Sequence, residues 1–311
     1  MIRDEVEHEF FKNFSTMFDS QLEECSDFEL KGKHEWTLPK WAEGVFVTSG
    51  PSQHEMNGTK FSHVLDGYGR FSNVNFRDGK ALFTSKMLKS KVYNNSLSQG
   101  GVAPGILFAE TEPPRWKSMI PALNFYYSFS QDNNWVSLEL LADNKTFVGT
   151  TDSNKKLEID LMSLETRENI KWEDDGMCMG GVSHSRKLPD GTYISICGDM
   201  NKTTYKTDMI VYKMEGQNTK KREVIARFPM ERNSLQHAFA MTREYAIIFD
   251  PPWVIQPALT DLVFNNLMFQ DMIINDVNGT TNIFAVRLSD GKVTRFDAKK
   301  YSMILHFGNA Y

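Results

Sequence analysis

The chain has 311 residues, of which 41% are hydrophobic and 24% are charged, and this is the composition of a globular protein. Its formal net charge is −5 and its basic residues form no stripe, so a nucleic-acid partner is not expected. The acidic N-terminal stretch lacks the apolar core of a signal peptide, and no apolar run approaches the ~18 residues that span a bilayer, so the expected location is cytoplasmic.

The first predicted element is an amphipathic helix near the N-terminus. Val6, Phe10, Phe14 and Phe18 recur at a spacing of four residues, which places them on one helix face. Short helices are also predicted within 115–126 and 257–269, and elsewhere the helical signal is weak.

After Trp36 the sequence changes to short alternating runs that end in turn dipeptides. In these dipeptides both residues tolerate positive φ, which is typical of two-residue hairpins. They are Asp78-Gly79, Asp190-Gly191, Asn278-Gly279 and Asp290-Gly291. The runs that predict strands most clearly are 70–76, 80–87, 192–198, 208–214, 222–228, 244–249, 281–288 and 292–298.

Many short strands over a long chain predict an all-β fold, built as a sandwich, a barrel or a propeller. Strands joined mainly by local hairpins favour antiparallel meanders and hence propeller blades. No break in composition marks a linker, so a single domain is expected. The three cysteines include no Cys-x-x-Cys pair, so we expect no disulfide scaffold and a reducing compartment.

Sequence motifs exclude the commonest catalytic classes. The Gly-x-Ser-x-Gly, P-loop, Gly-x-Gly-x-x-Gly and His-Glu-x-x-His motifs are all absent, so signatures of hydrolases, NTPases, dinucleotide enzymes and zincins are missing. Of the seven histidines, His8, His34 and His54 lie in polar surroundings and are expected to be solvated.

Three other histidines stand out by context. His184 ends a loop of small residues before a strand, His237 precedes another strand, and His306 lies in the last apolar run. They are 53 and 69 residues apart, which is about one propeller blade per interval. Histidines at blade starts would converge on the axis and form a nitrogen-only site suited to Fe, Zn, Cu or Ni. On spacing alone, core or loop histidines without a metal are the stronger interpretation.

Several motifs occur in the order found in one family. Trp36-Thr37-Leu38-Pro39-Lys40-Trp41 with Gly44 is followed by Ser49-Gly50-Pro51, His63-Val64-Leu65-Asp66-Gly67 and Leu164-Glu165-Thr166. His184, His237 and the string His306-Phe307-Gly308-Asn309-Ala310-Tyr311 then follow at compatible distances. This ordered set, over 36 to 311, resembles the carotenoid cleavage oxygenases, which include animal β-carotene oxygenases and retinoid isomerohydrolases.

The resemblance implies a seven-bladed β-propeller with Fe(II) held by four histidines on its axis. It implies that His184, His237 and His306 are three of these ligands. It further implies an oxygenase that cleaves a C=C bond of a carotenoid, apocarotenoid or retinoid with O₂, or an isomerase of such a polyene. Residues 1–35 would form a helical lead-in and 36–311 an incomplete propeller domain.

An orienting carboxylate is also implied by the resemblance. Neutral imidazoles suit Fe(II), and each needs an acceptor on its second nitrogen. The family uses glutamates for this, and Asp152 lies where the first of them is expected, although it is one methylene shorter. A backbone shift or a bridging water would let it accept the proton. The alternative is that Asp152 serves only a local turn before Ser153.

Two segments, 110–127 and 253–269, lie where animal members of the family face a membrane. Both combine aromatic and aliphatic residues with few charges, which suits contact with a membrane surface and uptake of a lipophilic polyene. Trp116, Phe125, Trp253 and Phe264 are the residues predicted to line this access route. Helices that cover the propeller core are the alternative interpretation.

Two departures from the family bear on function. Ser185 follows the first histidine where proline is common, and no histidine follows His306, so the fourth iron ligand is absent from this sequence. A propeller ending here would not close and would expose strand edges. The expectation is therefore a fragment of an oxygenase, and the alternative is a truncated, non-catalytic propeller that binds a lipid or a protein partner.

Overall fold

The computed structural model describes residues 15–32, 38–39, 41–103, 107–114, 131–174, 177–200, 206–255 and 268–311. The strands within these ranges are β1 (Cys25–Glu29), β2 (Gly44–Gln53), β3 (Glu55–Met56), β4 (Thr59–Lys60), β5 (Tyr68–Arg77), β6 (Lys80–Met87), β7 (Ser137–Leu140), β8 (Phe147–Thr150), β9 (Leu157–Ile159), β10 (Thr166–Asn169), β11 (Arg186–Lys187), β12 (Tyr193–Met200), β13 (Thr207–Met214), β14 (Glu223–Pro229), β15 (Ala240–Met241), β16 (Tyr245–Asp250), β17 (Trp253–Ile255), β18 (Ile273–Asn275), β19 (Asn282–Arg287) and β20 (Val293–Asp297). The described helices are α1 (Lys91–Gln99) and the 3-10 helices Ser15–Phe18, Val64–Asp66 and Phe269–Met272.

Most of the described strands form four antiparallel four-stranded sheets. In strand order these are sheet 1 (β1-β6-β5-β2), sheet 2 (β10-β9-β8-β7), sheet 3 (β11-β12-β13-β14) and sheet 4 (β15-β16-β19-β20). The pairs β3-β4 and β17-β18 are small two-stranded ribbons. Sheets 2 and 3 are meanders of consecutive strands, whereas β1 pairs with β6 in sheet 1 and the β17-β18 ribbon interrupts sheet 4. Four-stranded antiparallel sheets are the units of a propeller, so the predicted all-β class is confirmed.

Neighbouring sheets pack face to face around separate apolar clusters. Phe71 of sheet 1 packs with Leu157 of sheet 2, and Val148 of sheet 2 packs in one cluster with Ile210 of sheet 3. A third cluster, between sheets 3 and 4, is called the site cluster below because it contains residues next to two of the histidines. Its buried members are Val182, Ile194, Ile196, Met209, Val211, Ala226, Phe228, Met230, Phe239, Ala246, Ile248, Phe284 and Val286.

Three of the four predicted hairpins are confirmed. Asp78 and Gly79 both have positive φ, 52° and 71°, and join β5 to β6. Gly191 and Gly291 also have positive φ and lie in the turns β11–β12 and β19–β20. The prediction at Asn278-Gly279 is wrong. There the chain turns, with Gly279 N donating to Asp276 O, but it passes from the β17-β18 ribbon into sheet 4.

The N-terminal part of sheet 1 differs from expectation. β1 lies within the predicted helical lead-in, yet it pairs with β6 and is part of the sheet. We therefore propose that the propeller begins before Cys25 and not at residue 36. Most of the predicted N-terminal helix lies outside the described residues, and its last part, Ser15–Phe18, is a 3-10 helix.

Two features were not predicted. Helix α1 begins at the N-cap Ser90, whose side chain accepts from Tyr93 N, and ends at Gly100 with a φ of 66°. Cys178 and Cys197 form a disulfide, contrary to the expectation from cysteine number. The amides of Met179 and Gly180 both donate to Gly198 O, so backbone pairing brings the two cysteines side by side.

Candidate metal centre

The three histidines that stand out in the sequence meet in the structure. Nε2 of His237 lies 3.2 Å from Nε2 of His184 and 3.1 Å from Nε2 of His306. All three donor atoms lie within 4.8 Å of one another. The ring planes are inclined by 70–76°, so the nitrogens converge and the rings do not stack.

The fold brings each histidine to this point from a different segment. His184 precedes β11 of sheet 3, and His237 precedes β15 of sheet 4. The two segments are joined by a parallel bridge between His184 and Ala238 and by a hydrogen bond from Ser183 N to His237 O. His306 comes from the segment after β20, and its ring is exposed.

Asp152 lies directly beside this cluster, in the loop that follows β8. Its Oδ2 is 2.9 Å from Nδ1 of His237, so the aspartate reaches the imidazole directly, although it is one methylene shorter than glutamate. Its Oδ1 accepts from Ser183 N at 3.0 Å and from Ser183 Oγ at 2.5 Å. One carboxylate therefore contacts both His237 and Ser183, the residue before His184. The contact with Ser183 was not predicted from the sequence.

The protonation states suit a cation. Because a carboxylate accepts from Nδ1 of His237, the proton lies on Nδ1 and the lone pair of Nε2 faces the cluster. Burial, and the neighbouring imidazoles to a smaller extent, lower the pKa of His184, so this ring is neutral at pH 7. Three imidazole nitrogens that converge in this way form a group that could hold a metal ion.

The two spacings that involve Nε2 of His237 also fit. Imidazole nitrogens bind Zn²⁺ at about 2.0–2.1 Å, so two of them lie about 2.9 Å apart at a right angle and about 3.4 Å apart at the tetrahedral angle. The observed 3.1 and 3.2 Å lie between these two values. A set of imidazoles suits Fe, Zn, Cu or Ni and disfavours Ca²⁺ or Mg²⁺, which prefer oxygen.

The remaining predicted residues are distributed differently. Trp253 lies on β17 and is half-buried, while Trp116, Phe125 and Phe264 lie outside the described residues. His54, expected to be solvated, is 3% exposed, because its ring packs against Phe18 and Gly67. His8 and His34 also lie outside the described residues. Among the helices that the structure describes, none combines the length and hydropathy needed to cross a bilayer.

A buried network behind His184 was not predicted. Glu139 of β7 contacts Ser185, Lys156 and Tyr193. Only the position of Glu139 among leucines, in the run Ser137–Leu140, hints at an inward-facing charge, and the partners are visible only in the tertiary structure.

Comparisons with known proteins agree with the fold and with the family that the motifs resemble. Residues 18–311 match the model of the family described as retinal pigment epithelial membrane protein. The chain is 24% identical over 254 residues to β,β-carotene 15,15'-dioxygenase of Gallus gallus, covering 76% of this chain and 48% of that protein. It is 22% identical over 222 residues to the chloroplastic carotenoid cleavage dioxygenase 8 homolog B of Oryza sativa, covering 69% of this chain and 38% of that protein.

Solved structures extend the match to the fold. A glutamate-to-aspartate variant of Synechocystis apocarotenoid oxygenase superposes with a TM-score of 0.74 at 17% identity, covering 93% of this chain and 59% of that one. The cobalt-substituted enzyme superposes with a TM-score of 0.74 at 17% identity, covering 95% and 60%. The chain thus spans about half the length of the curated relatives. It belongs to the family of the retinal pigment epithelial membrane protein and the carotenoid cleavage oxygenases.

Proposed function

We propose that this chain is the metal-binding part of a non-haem iron oxygenase that cleaves a C=C bond of a carotenoid, apocarotenoid or retinoid with O₂. The observation behind the proposal is the convergence of Nε2 of His184, His237 and His306 within 4.8 Å. The relatives named as carotenoid dioxygenases and apocarotenoid oxygenase support the substrate class. A ferrous ion bound here would supply the redox chemistry with O₂.

The protein's own contribution is position and protonation. Asp152 keeps the proton of His237 on Nδ1, so Nε2 stays available as a ligand. The site cluster lies behind the histidines and excludes water from their backbone segments, because Val182 and Phe239 are buried two residues from His184 and His237. No acid or base from the protein is needed to split a C=C bond into two carbonyls.

Contact with a membrane surface is part of the same proposal. A polyene substrate partitions into lipid, so a protein that takes it up benefits from resting one face on a bilayer. Of the four residues predicted to line the access route, Trp253 is the one within the described part of the chain, and it is half-buried on the β17-β18 ribbon.

The cleavage proposal is tested with isotopic oxygen. We expect the purified chain, loaded with Fe(II) without oxygen and then given ¹⁸O₂ and a β-carotene or apocarotenal micelle, to release carbonyl products. Each product should contain ¹⁸O, because the two carbons of the broken bond take oxygen from O₂. Mass spectrometry provides the measurement. Loaded iron without any labelled carbonyl product would reject cleavage by this chain.

Asp152 provides a second prediction. We expect Asp152→Asn to weaken Co²⁺ or Fe²⁺ binding about 10–100-fold, because an amide no longer fixes the proton on Nδ1 of His237. Asp152→Glu should stay within a few-fold, since it keeps a carboxylate. The measurement is metal affinity by competition with a chelator.

The control for Asp152 is Asp143→Asn. Asp143 also accepts backbone and hydroxyl hydrogen bonds, from Lys145 and Thr146, but in the turn between β7 and β8. If Asp152→Asn bound metal as tightly as Asp143→Asn does, Asp152 would have no orienting role.

A further inference from the structure

We propose that Glu139 is a positioning residue for His184, acting through the backbone of Ser185; the inference rests on the metal site proposed above. Glu139 is the third residue of β7, the strand at the end of sheet 2, and its side chain is 10% exposed. Its Oε1 accepts from Ser185 N at 2.6 Å. This bond joins sheet 2 to the residue that directly follows His184.

The second oxygen of Glu139 is fixed by two more donors. Lys156 Nζ lies 3.0 Å from Oε2, and the hydroxyl of Tyr193 also contacts Oε2. The side chain of Lys156 is 6% exposed and Tyr193 is 2% exposed, so solvent does not compete for these contacts. Tyr193 OH further bonds Ser185 Oγ at 2.6 Å, and Ser185 Oγ bonds Ser195 Oγ at 2.9 Å.

His184 is thereby held from both sides. Asp152 accepts from the amide of Ser183, and Glu139 accepts from the amide of Ser185. A carboxylate contacts Nδ1 of His237, whereas among the described residues none contacts Nδ1 of His184. The direction of the His184 ring must then be set through its backbone, and the two flanking amides are the points at which the protein sets it.

Stability alone does not explain the buried ion pair of Glu139 and Lys156. A buried ion pair loses much of its attraction to desolvation, and apolar residues of similar size often replace it without loss. Glu139 and Lys156 instead provide a rigid acceptor at a defined place. Ser185 N binds one carboxylate oxygen of Glu139, and Lys156 Nζ and the hydroxyl of Tyr193 bind the other.

The test compares two double variants that both remove the buried charges. The Gln/Met variant combines Glu139→Gln with Lys156→Met and keeps an acceptor oxygen for Ser185 N. The Leu/Met variant combines Glu139→Leu with Lys156→Met and has no such acceptor. We measure Co²⁺ affinity, the visible spectrum of bound Co²⁺ and the melting temperature on the whole chain. We expect the Leu/Met variant to bind Co²⁺ about 10-fold more weakly with an altered spectrum, and the Gln/Met variant to resemble the wild type.

A buried ion pair elsewhere provides the control. Arg222, with a side chain 2% exposed, pairs with Asp174 next to β14, the strand of sheet 3 farthest from β11. Asp174→Asn should lower the melting temperature and leave Co²⁺ affinity and spectrum unchanged. If the Leu/Met variant does not fold, Glu139→Asp replaces it, since the shorter side chain keeps the charge but retracts from Ser185 N.

The outcomes separate the two proposals. The positioning role of Glu139 is overturned if the Leu/Met variant, or Glu139→Asp, keeps the Co²⁺ affinity and spectrum of the wild type. This holds even if the melting temperature of the variant falls. Binding of Co²⁺ that is unaffected by removal of His237 overturns the metal site itself. Loss of binding on removal of His237, together with the weakened and altered binding of the Leu/Met variant, supports both.

Discussion

His237→Ala is expected to abolish stoichiometric metal binding. His237 is the central histidine of the cluster, because its Nε2 lies 3.2 Å from that of His184 and 3.1 Å from that of His306. Its removal deletes one of three nitrogens and leaves the Asp152 carboxylate without its imidazole partner. Loss of an orienting partner alone costs about 10–100-fold in affinity, so loss of the ligand should exceed ~100-fold.

Two measurements check this expectation. Elemental analysis gives metal per chain after dialysis against excess Fe²⁺ or Co²⁺. Thermal or denaturant unfolding gives a second value, because a ligand at 100 times its Kd stabilises the folded state by about 2.7 kcal/mol. The wild type should show this gain and His237→Ala should not.

His63→Ala is the matched control. His63 is also partly buried, but its Nδ1 accepts from Leu65 N at the start of a 3-10 helix and its ring stacks on Phe108. This variant should bind metal like the wild type. Equal metal content in His237→Ala and His63→Ala would mean that the histidine cluster is not the metal site.

The position of the three histidines could be predicted from the sequence for a physical reason. Each of His184 and His237 lies two or three residues before the first strand of a four-stranded sheet, and such positions recur once per sheet. The order of motifs then favoured a ligand set over ordinary buried histidines, and the ligand roles stay a prediction. The place of Asp152 beside an imidazole was implied by the resemblance. Its second contact, with Ser183, was not predictable, because it depends on the loop path after β8.

The network of Glu139 shows the same limit. Glu139, Lys156 and Tyr193 are far apart in sequence, and each has an ordinary local context in or beside a strand. Strand pairing within sheet 2 brings Lys156 to Glu139, and the packing of sheet 2 against sheet 3 brings Tyr193 to both. A sequence pattern that alternates along one strand contains no information about which buried side chain lies opposite on the next strand or the next sheet.

Errors in the predicted fold have local causes. The helix α1 has a polar sequence, KVYNNSLSQ, with little apolar periodicity, so its only signals are the caps Ser90 and Gly100. The Asn278-Gly279 dipeptide does form a turn, but a dipeptide specifies the turn and not the partner strand. By contrast, the predicted strand 80–87 coincides with β6, because its alternation and its Asp78-Gly79 turn agree.

Phe239→Ala is expected to destabilise the protein by about 3–5 kcal/mol, as is usual for a fully buried phenylalanine. Phe239 is 0% exposed and belongs to the site cluster between sheets 3 and 4. Its deletion leaves a cavity lined by residues of both sheets, which close-packed strands fill only in part. The measurement is the free energy of unfolding in urea, with Phe239→Leu as a milder variant.

This substitution should also weaken metal binding, which links the core to the site. Phe239 follows His237 by two residues and Val182 precedes His184 by two, so the same cluster anchors the segments of both histidines. Ile210→Ala is the control, because Ile210 is equally buried but lies in the cluster between sheets 2 and 3. It should lose roughly 2–5 kcal/mol of stability and keep its Co²⁺ affinity. If both variants weakened Co²⁺ binding equally at temperatures where they are folded, general loss of stability would explain the effect. A selective loss in Phe239→Ala would show that packing of sheet 3 on sheet 4 fixes the distance between the two histidines.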